Sequence, residues 1–201
     1  DLHSFPTRRS SDLAISGTLS FKAKKVMAHD TLKAGQYSFI LTQVTGQNST
    51  TRVKSDVVLL KDSVVKANTD TDGNIVFDPI SLVCNSSVNQ TGTFWFMIQE
   101  KLPNGVSEEK PVKDHIHYDT NKHWIKVTVT DQKDGSLKVE KDPSTNDTDP
   151  DVVFTNELLS SVRVSKAFIN HDMPEGFRIT AAYTVDGTSY VKVLKAKAAS
   201  N

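Results

Sequence analysis

The chain has 201 residues with 24 basic and 24 acidic side chains, so its formal net charge at pH 7 is zero. This balance gives no electrostatic reason to expect binding to nucleic acid or to an anionic membrane surface. No run approaches the roughly 18 apolar residues of a membrane-spanning helix, and the single cysteine, Cys84, cannot form an internal disulfide. The length indicates one full domain and part of another.

The first segment of the chain has neither strand nor helix periodicity. Residues 4–13 resemble the conceptual translation of a short-read sequencing adapter. We therefore expect residues 1–13 to be non-native and leave them out of the fold prediction. On this interpretation the reading frame began at a contig edge, and a missing signal peptide carries no information.

From Ala14 onward the sequence predicts a succession of short strands separated by turn residues. No segment longer than about two turns has the 3.6-residue period of a helix. The predicted strands cover residues 19–27, 35–41, 57–60 with 64–65, 74–77, 93–100, 115–118, 124–130, 137–140 and 151–156. This pattern predicts an all-β fold, an antiparallel β-sandwich over residues 14–157.

The strand at residues 93–100 ends with a carboxylate on its apolar face. Because side chains alternate across a strand, Phe94, Phe96, Ile98 and Glu100 share one face. A carboxylate that extends an aromatic row loses its hydrating water, and it stays protonated unless it gains a partner. The partner of this carboxylate therefore decides what the site can do.

Two more polar residues are in phase with the apolar faces of their strands. In residues 19–27 the alternation places Lys25 inward and Lys24 toward solvent. In residues 151–156 it places Asn156 inward. We expect lysine, glutamate and asparagine to meet in one core. From the residues alone, they could form a reactive set or a buried ion pair with a hydrogen-bonded asparagine.

Several short motifs occur in a fixed order along the chain. They are Lys25-Val26-Met27, Ala34-Gly35-Gln36-Tyr37-Ser38-Phe39, Asp72-Gly73-Asn74-Ile75-Val76-Phe77, Phe96-Met97-Ile98-Gln99-Glu100, Tyr118-Asp119 and Phe154-Thr155-Asn156. Together, over about residues 15–157, they resemble the streptococcal pilin isopeptide-linkage family, the T-antigen backbone pilins. The resemblance implies a Cna-B-type Ig-like domain of a Gram-positive surface protein with a spontaneous Lys–Asn isopeptide bond.

The resemblance implies that Lys25 supplies the amine, Asn156 the amide and Glu100 the proton shuttle. Burial among aromatic side chains lowers the pKa of a lysine and raises that of a carboxyl, which leaves both neutral near pH 7. Glu100 would polarise the Asn156 carbonyl, accept a proton from the attacking nitrogen and deliver it to the departing ammonia. The reaction turns over once and needs no cofactor, and no catalytic triad or dyad predicts a conventional enzyme.

Two short sequence patterns resemble metal-binding motifs. Residues 68–75 resemble the start of an EF-hand loop, but the twelfth position is Pro79 and no helices are predicted on either side, so we predict a β-turn. His115, His117 and Asp119 alternate along one strand, and without a second histidine cluster an exposed row is the better interpretation. We predict no metal site.

The strand pattern begins again in residues 158–201, where it predicts a hairpin of strands at residues 177–183 and 189–194. Lys166 repeats the inward phase of Lys25, and the resemblance suggests that it opens a second β domain whose glutamate and asparagine would lie beyond Asn201. We therefore expect residues 158–201 to be the truncated start of that domain. Lys166 should be a free amine.

Two functional classes remain open for the chain. One is a structural stalk or pilus-shaft domain, whose partners are neighbouring domains or pilin subunits of the same surface protein. The other is an adhesin module whose loops bind a host protein or glycan. The loops at residues 46–51, 101–114 and 142–151 are polar and poor in aromatic residues, which favours the shaft. The resemblance implies an extracellular location, in the cell wall or pilus.

Overall fold

The computed structural model describes residues 14–54, 57–85, 87–143, 149–159, 178–185 and 188–195. The chain divides into two compact units, Asp1–Ser161 and Val162–Asn201. Every regular element in the described ranges is a β-strand. Among these residues no helix is long and apolar enough to cross a membrane. Residues 1–13 and Lys166 lie outside the described residues.

The first unit contains twelve described strands. They are β1 (Ile15–Leu19), β2 (Lys22–Ala28), β3 (Ser38–Val44), β4 (Val64–Ala67), β5 (Asn74–Val76), β6 (Ile80–Cys84), β7 (Gly92–Glu100), β8 (Val112–Lys113), β9 (Ile116–His117), β10 (Lys122–Asp131), β11 (Leu137–Asp142) and β12 (Val152–Leu158). They form two five-stranded sheets, in the orders β11-β10-β7-β3-β4 and β5-β2-β12-β9-β8, and a separate pair of β1 with β6. The predicted all-β sandwich is confirmed.

One pairing departs from the antiparallel pattern. β2 and β12 run parallel, with Lys25 opposite Phe154 and Met27 opposite Asn156, whereas the other strand pairs in the described residues are antiparallel. Parallel neighbours require a long connection, and here all the strands from β3 to β11 lie between the two. The first long strand of the sandwich thus lies beside the last.

The core lies between the two five-stranded sheets. Its largest members include Phe21, Phe39, Phe96 and Phe154, each at most 1% exposed. Phe39 of one sheet packs against Phe154 of the other with ring centroids 5.0 Å apart, and Phe21 packs against Phe96 at 4.7 Å. Aromatic pairs at these separations add to the free energy gained by burying their area. These contacts hold the two sheets face to face.

The predicted strand at residues 57–60 does not form. The buried side chain of Gln43 accepts hydrogen bonds from the N–H groups of Leu59 and Leu60, at 2.7 and 2.9 Å, and donates one to the Val57 carbonyl at 3.0 Å. Because this one amide satisfies the backbone, the segment needs no neighbouring strand. The structure also contains a strand that the sequence did not predict, β6. Only two of its apolar residues, Ile80 and Leu82, are buried, so its alternating pattern is short.

In the second unit the described residues form one antiparallel hairpin. Its strands are β13 (Arg178–Val185) and β14 (Thr188–Lys195). These strands coincide with the hairpin that the sequence predicts for residues 177–183 and 189–194. Val191 and Val193 are exposed on this hairpin, at 71% and 51%.

Candidate functional site

Three strands each direct one polar side chain into the core of the sandwich. Lys25 of β2 is 1% exposed, Glu100 of β7 is 4% exposed and Asn156 of β12 is fully buried. β7 belongs to one sheet, and β2 and β12 are neighbours in the other. The structure thus brings together the three residues that the alternation of side chains predicts to point inward.

The Glu100 carboxyl contacts both nitrogen-bearing side chains. Its Oε2 lies 2.7 Å from Nζ of Lys25, and its Oε1 accepts a hydrogen bond of 2.9 Å from Nδ2 of Asn156. Each oxygen therefore faces one nitrogen. A carboxyl in this position can receive a proton from the lysine and pass one to the asparagine amide without moving.

The parallel register explains why Lys25 and Asn156 are close. Lys25 is opposite Phe154, two residues before Asn156, so the two polar residues are diagonal neighbours on adjacent strands. Both side chains point into the core, and diagonal neighbours on one face are within reach of a long side chain. A shift of one residue in this register would turn one of them out of the core.

Burial shifts the pKa of each member of the Lys25–Glu100 pair toward its neutral form. Burial lowers the pKa of Lys25, and the opposing attraction of the Glu100 carboxylate is the smaller effect. Burial likewise raises the pKa of Glu100 against the opposing effect of Lys25. Removing the charged forms from water is the common cause. A neutral lysine has a free electron pair and can act as a nucleophile.

Two tyrosines form one wall of the site. Nζ of Lys25 lies 4.8 Å from the centroid of the Tyr37 ring, and Tyr37 meets Tyr118 edge-on at 6.3 Å. Burial raises the pKa of both phenols, which keeps them neutral. The side chain of Asn68, 1% exposed, accepts a hydrogen bond of 3.0 Å from the Tyr37 N–H and so holds the backbone of Tyr37 in place.

Asp119 is a site residue whose contacts the sequence analysis did not predict. Its backbone N–H donates to Oδ1 of Asn156 at 2.7 Å, and its carboxylate accepts the Thr155 N–H at 2.9 Å. The sequence placed it in an exposed row with His115 and His117. Its position in the Tyr118-Asp119 motif was the signal that could have identified it. Across the described residues, no group of three or more histidine, cysteine or acidic side chains could hold a metal ion.

The turn before β5 supports the backbone of Lys25. The Lys25 N–H donates to the Gly73 carbonyl at 2.7 Å, and the Gly73 N–H donates to the Asp70 carbonyl at 3.4 Å, which closes the predicted β-turn. The Asp70 side chain also accepts the Asn74 N–H at 3.0 Å. Gly73 has a φ of +83°, and a Cβ at this position would lie 1.9 Å from the Lys25 carbonyl oxygen. Only glycine fits this close approach of two backbone segments.

The variant Gly73→Ala should therefore destabilise the domain much more than Gly35→Ala. Gly35 also has a positive φ, +75°, but a Cβ there would meet nothing within 4 Å. Gly35→Ala should cost only the conformational strain, about 1–2 kcal/mol, whereas Gly73→Ala must also displace Lys25. Thermal melting of both variants measures the difference. Equal losses of melting temperature would mean that the Gly73 turn does not hold Lys25.

Comparisons with known proteins were made for the whole chain. Residues 21–158 match the family model FctA, described as a Spy0128-like isopeptide containing domain. A comparison with curated protein sequences finds no match. Among solved structures, a mutant of the major pilin from Streptococcus pyogenes aligns at 13% identity and a TM-score of 0.36, over 70% of this chain and 50% of the pilin chain. This chain thus aligns with half the length of that pilin.

The family match spans the strands from β2 to β12 and includes Lys25, Glu100 and Asn156. It confirms the resemblance that the ordered motifs predict. Because the matched range is well over half of the chain, the family assignment does not depend on the weaker structural similarity. The chain belongs to the family of Spy0128-like isopeptide containing domains.

Proposed function

We propose that this domain is a pilus-shaft or stalk module of a Gram-positive surface protein, stabilised by an autocatalytic isopeptide bond between Lys25 and Asn156. The observation that carries the proposal is the bridging carboxyl of Glu100, which contacts Nζ of Lys25 and Nδ2 of Asn156 inside a closed core. Membership of an isopeptide-containing family supports it.

The reaction begins with a neutral Lys25 amine and a protonated Glu100. The lone pair of Nζ attacks Cγ of Asn156, and the π electrons of the carbonyl move to Oδ1. In the tetrahedral intermediate Nδ2 has a free lone pair and can accept a proton, so its contact with Oε1 reverses. Glu100 takes a proton from Nζ on Oε2 and gives its own proton to Nδ2 from Oε1. When the carbonyl re-forms, the Cγ–Nδ2 bond breaks and ammonia leaves. Glu100 is again a neutral acid, with its proton on Oε2 instead of Oε1. Fixing amine and amide in one core lowers the barrier by about 7–11 kcal/mol when they are well aligned.

The position of the bond suits a shaft. β2 and β12 run parallel, so the chain enters β2 at one end of this strand pair and leaves β12 at the other. Tension along the chain pulls the two strands past each other. A covalent bond between Lys25 and Asn156 would carry this tension directly and keep the intervening residues folded.

The same proposal covers location and partners. We infer an extracellular location, in the cell wall or pilus, with neighbouring domains or pilin subunits as partners. The expected second domain, its Lys166 and the binding of a host ligand by loops remain predictions. Lys166 should appear as a free amine in any peptide map.

Intact mass spectrometry tests the bond. The folded chain should weigh about 17 Da less than its sequence, the mass of one ammonia, and trypsin should release a branched peptide joining Lys25 to Asn156. The variant Glu100→Ala removes the proton relay and should retain the full mass, or lose ammonia much more slowly.

Two outcomes would contradict the proposal. A folded wild-type chain of full mass would show that no bond forms. A Glu100→Ala chain that loses ammonia at the wild-type rate would exclude the relay. The variant Glu140→Ala is the matched control, because Glu140 is an exposed glutamate on β11, away from the core. It should lose ammonia normally.

A further inference from the structure

We infer that the backbone N–H of Asp119 is the oxyanion donor for the Lys25–Asn156 reaction, and that the Asp119 carboxylate holds this donor in place. The inference rests on the proposed function. It assigns a role that Glu100 cannot fill in this geometry, because the two Glu100 oxygens face Nζ of Lys25 and Nδ2 of Asn156. Neither is left to polarise the Asn156 carbonyl.

The orientation of the Asn156 amide follows from two of its neighbours, the Asp119 backbone and the Glu100 carboxyl. The Asp119 N–H is a donor 2.7 Å from the side chain, so it must face the amide oxygen. The amide nitrogen then faces Oε1 of Glu100 at 2.9 Å. In the flipped orientation, Nδ2 would oppose the Asp119 N–H, and two donors would meet. The carbonyl oxygen is thus aimed at the backbone of Asp119.

The segment after β9 keeps Asp119 in this position. Glu157 of β12 pairs with His117. Beyond this pair, hydrogen bonds between backbone N–H groups and side chains connect the two segments. The Asn156 oxygen accepts the Asp119 N–H, and the Asp119 carboxylate accepts the Thr155 N–H at 2.9 Å. The other carboxylate oxygen accepts the Asn121 N–H at 3.0 Å, which fixes the side chain itself. This reciprocal exchange fixes the donor against two consecutive residues of β12.

The contact has a clear chemical consequence. When Nζ of Lys25 attacks Cγ, the electron pair of the carbonyl π bond moves to Oδ1, which becomes negatively charged. The Asp119 N–H already points at this oxygen and strengthens its hydrogen bond as the charge develops, and no proton is transferred to or from it. A pre-oriented donor at this fully buried amide lowers the barrier because it needs no reorganisation.

Replacing residue 119 by the matching α-hydroxy acid tests the donor. This change turns the amide between Tyr118 and Asp119 into an ester, which removes the N–H and keeps the carboxylate. The matched control is the same change at residue 136, which removes an N–H that donates to the Asp134 side chain at 3.0 Å in the exposed turn before β11. Unreacted chains are prepared in denaturant and refolded. Tryptophan fluorescence then follows folding while intact mass follows the loss of ammonia.

The ester at residue 119 should slow the loss of ammonia by about 10²–10³-fold once the chain is folded, whereas the ester at residue 136 should leave the rate close to that of the wild type. Asp119→Ala keeps the N–H but loses the acceptor for Thr155, so its rate of ammonia loss should lie between those of the two esters. Asp119→Asn keeps a side-chain oxygen and should restore part of the rate. A folded 119 ester that reacts as fast as the 136 ester would overturn the inference. If the wild-type chain never loses ammonia, the proposed function itself fails.

A second measurement does not depend on folding of the ester. In the unreactive variant Lys25→Met, the Asp119 amide proton should be protected from exchange with solvent. Adding Asn156→Ala should remove this protection, while the amide protons in the middle of β10 should keep theirs. An Asp119 amide that exchanges freely in Lys25→Met would show that the donor is absent, and this result would also overturn the inference.

Discussion

The variant Asn156→Ala should melt more than 10 °C below the wild-type chain. A bond between Lys25 and Asn156 closes a loop of about 130 residues, and in the chain-entropy model such a loop removes denatured-state entropy worth about 5 kcal/mol. In domains of 150 to 250 residues, each kcal/mol shifts the melting temperature by about 2–4 °C. Differential scanning calorimetry of both chains, after their masses have been checked, measures the effect.

Asn156→Ala also removes hydrogen bonds to Glu100 and Asp119, so it overstates the effect of the bond. A double-mutant cycle with Lys25→Met separates the two. Lys25→Met removes the amine and leaves Glu100, whose raised pKa lets it stay protonated. Either single change already prevents the bond. The decrease in melting temperature of the double variant should therefore be much smaller than the sum of the decreases of the two single variants. Additive losses would indicate that no bond joins the two residues.

The inward phase of the site residues could be predicted because it depends only on alternation. Lys25, Glu100 and Asn156 each continue a row of apolar side chains, and the structure buries all three. Burial of a charged group needs a partner, so three such residues in one domain already suggested a common site. The family motifs supplied the chemistry that alternation cannot supply.

The parallel pairing of β2 with β12 could not be predicted in the same way. Alternation states which side chains face the core, but it does not identify the neighbour of a strand. Asp119 was missed for a related reason. Its contribution is a backbone N–H, which every residue except proline has, and its carboxylate completes a strand ladder. The interactions of both Gln43 and Asp119 join side chains to backbone that is distant in sequence.

Under mechanical load, the wild-type chain should keep residues 25–156 folded at forces that fully extend Asn156→Ala. In the bonded chain the tension passes from β2 to β12 through the Lys25 side chain, so the residues between the bonded pair carry none of it. Without the bond the same residues can unravel. About 130 residues at roughly 3.3–3.6 Å each give an additional extension of about 45 nm.

Single-molecule pulling of the full chain between two marker domains measures this extension. The bonded chain can lengthen only through the residues before Lys25 and after Asn156, which include β1 and the second unit. Lys25→Met should show the same additional extension as Asn156→Ala, because either change prevents the bond. Glu140→Ala should behave like the wild type, because its exposed side chain on β11 takes no part in the reaction. If the wild-type chain also releases about 45 nm, then no covalent bond spans the domain and the shaft proposal is wrong. If only the two core variants release it, the tension in the wild-type chain passes through the Lys25–Asn156 bond.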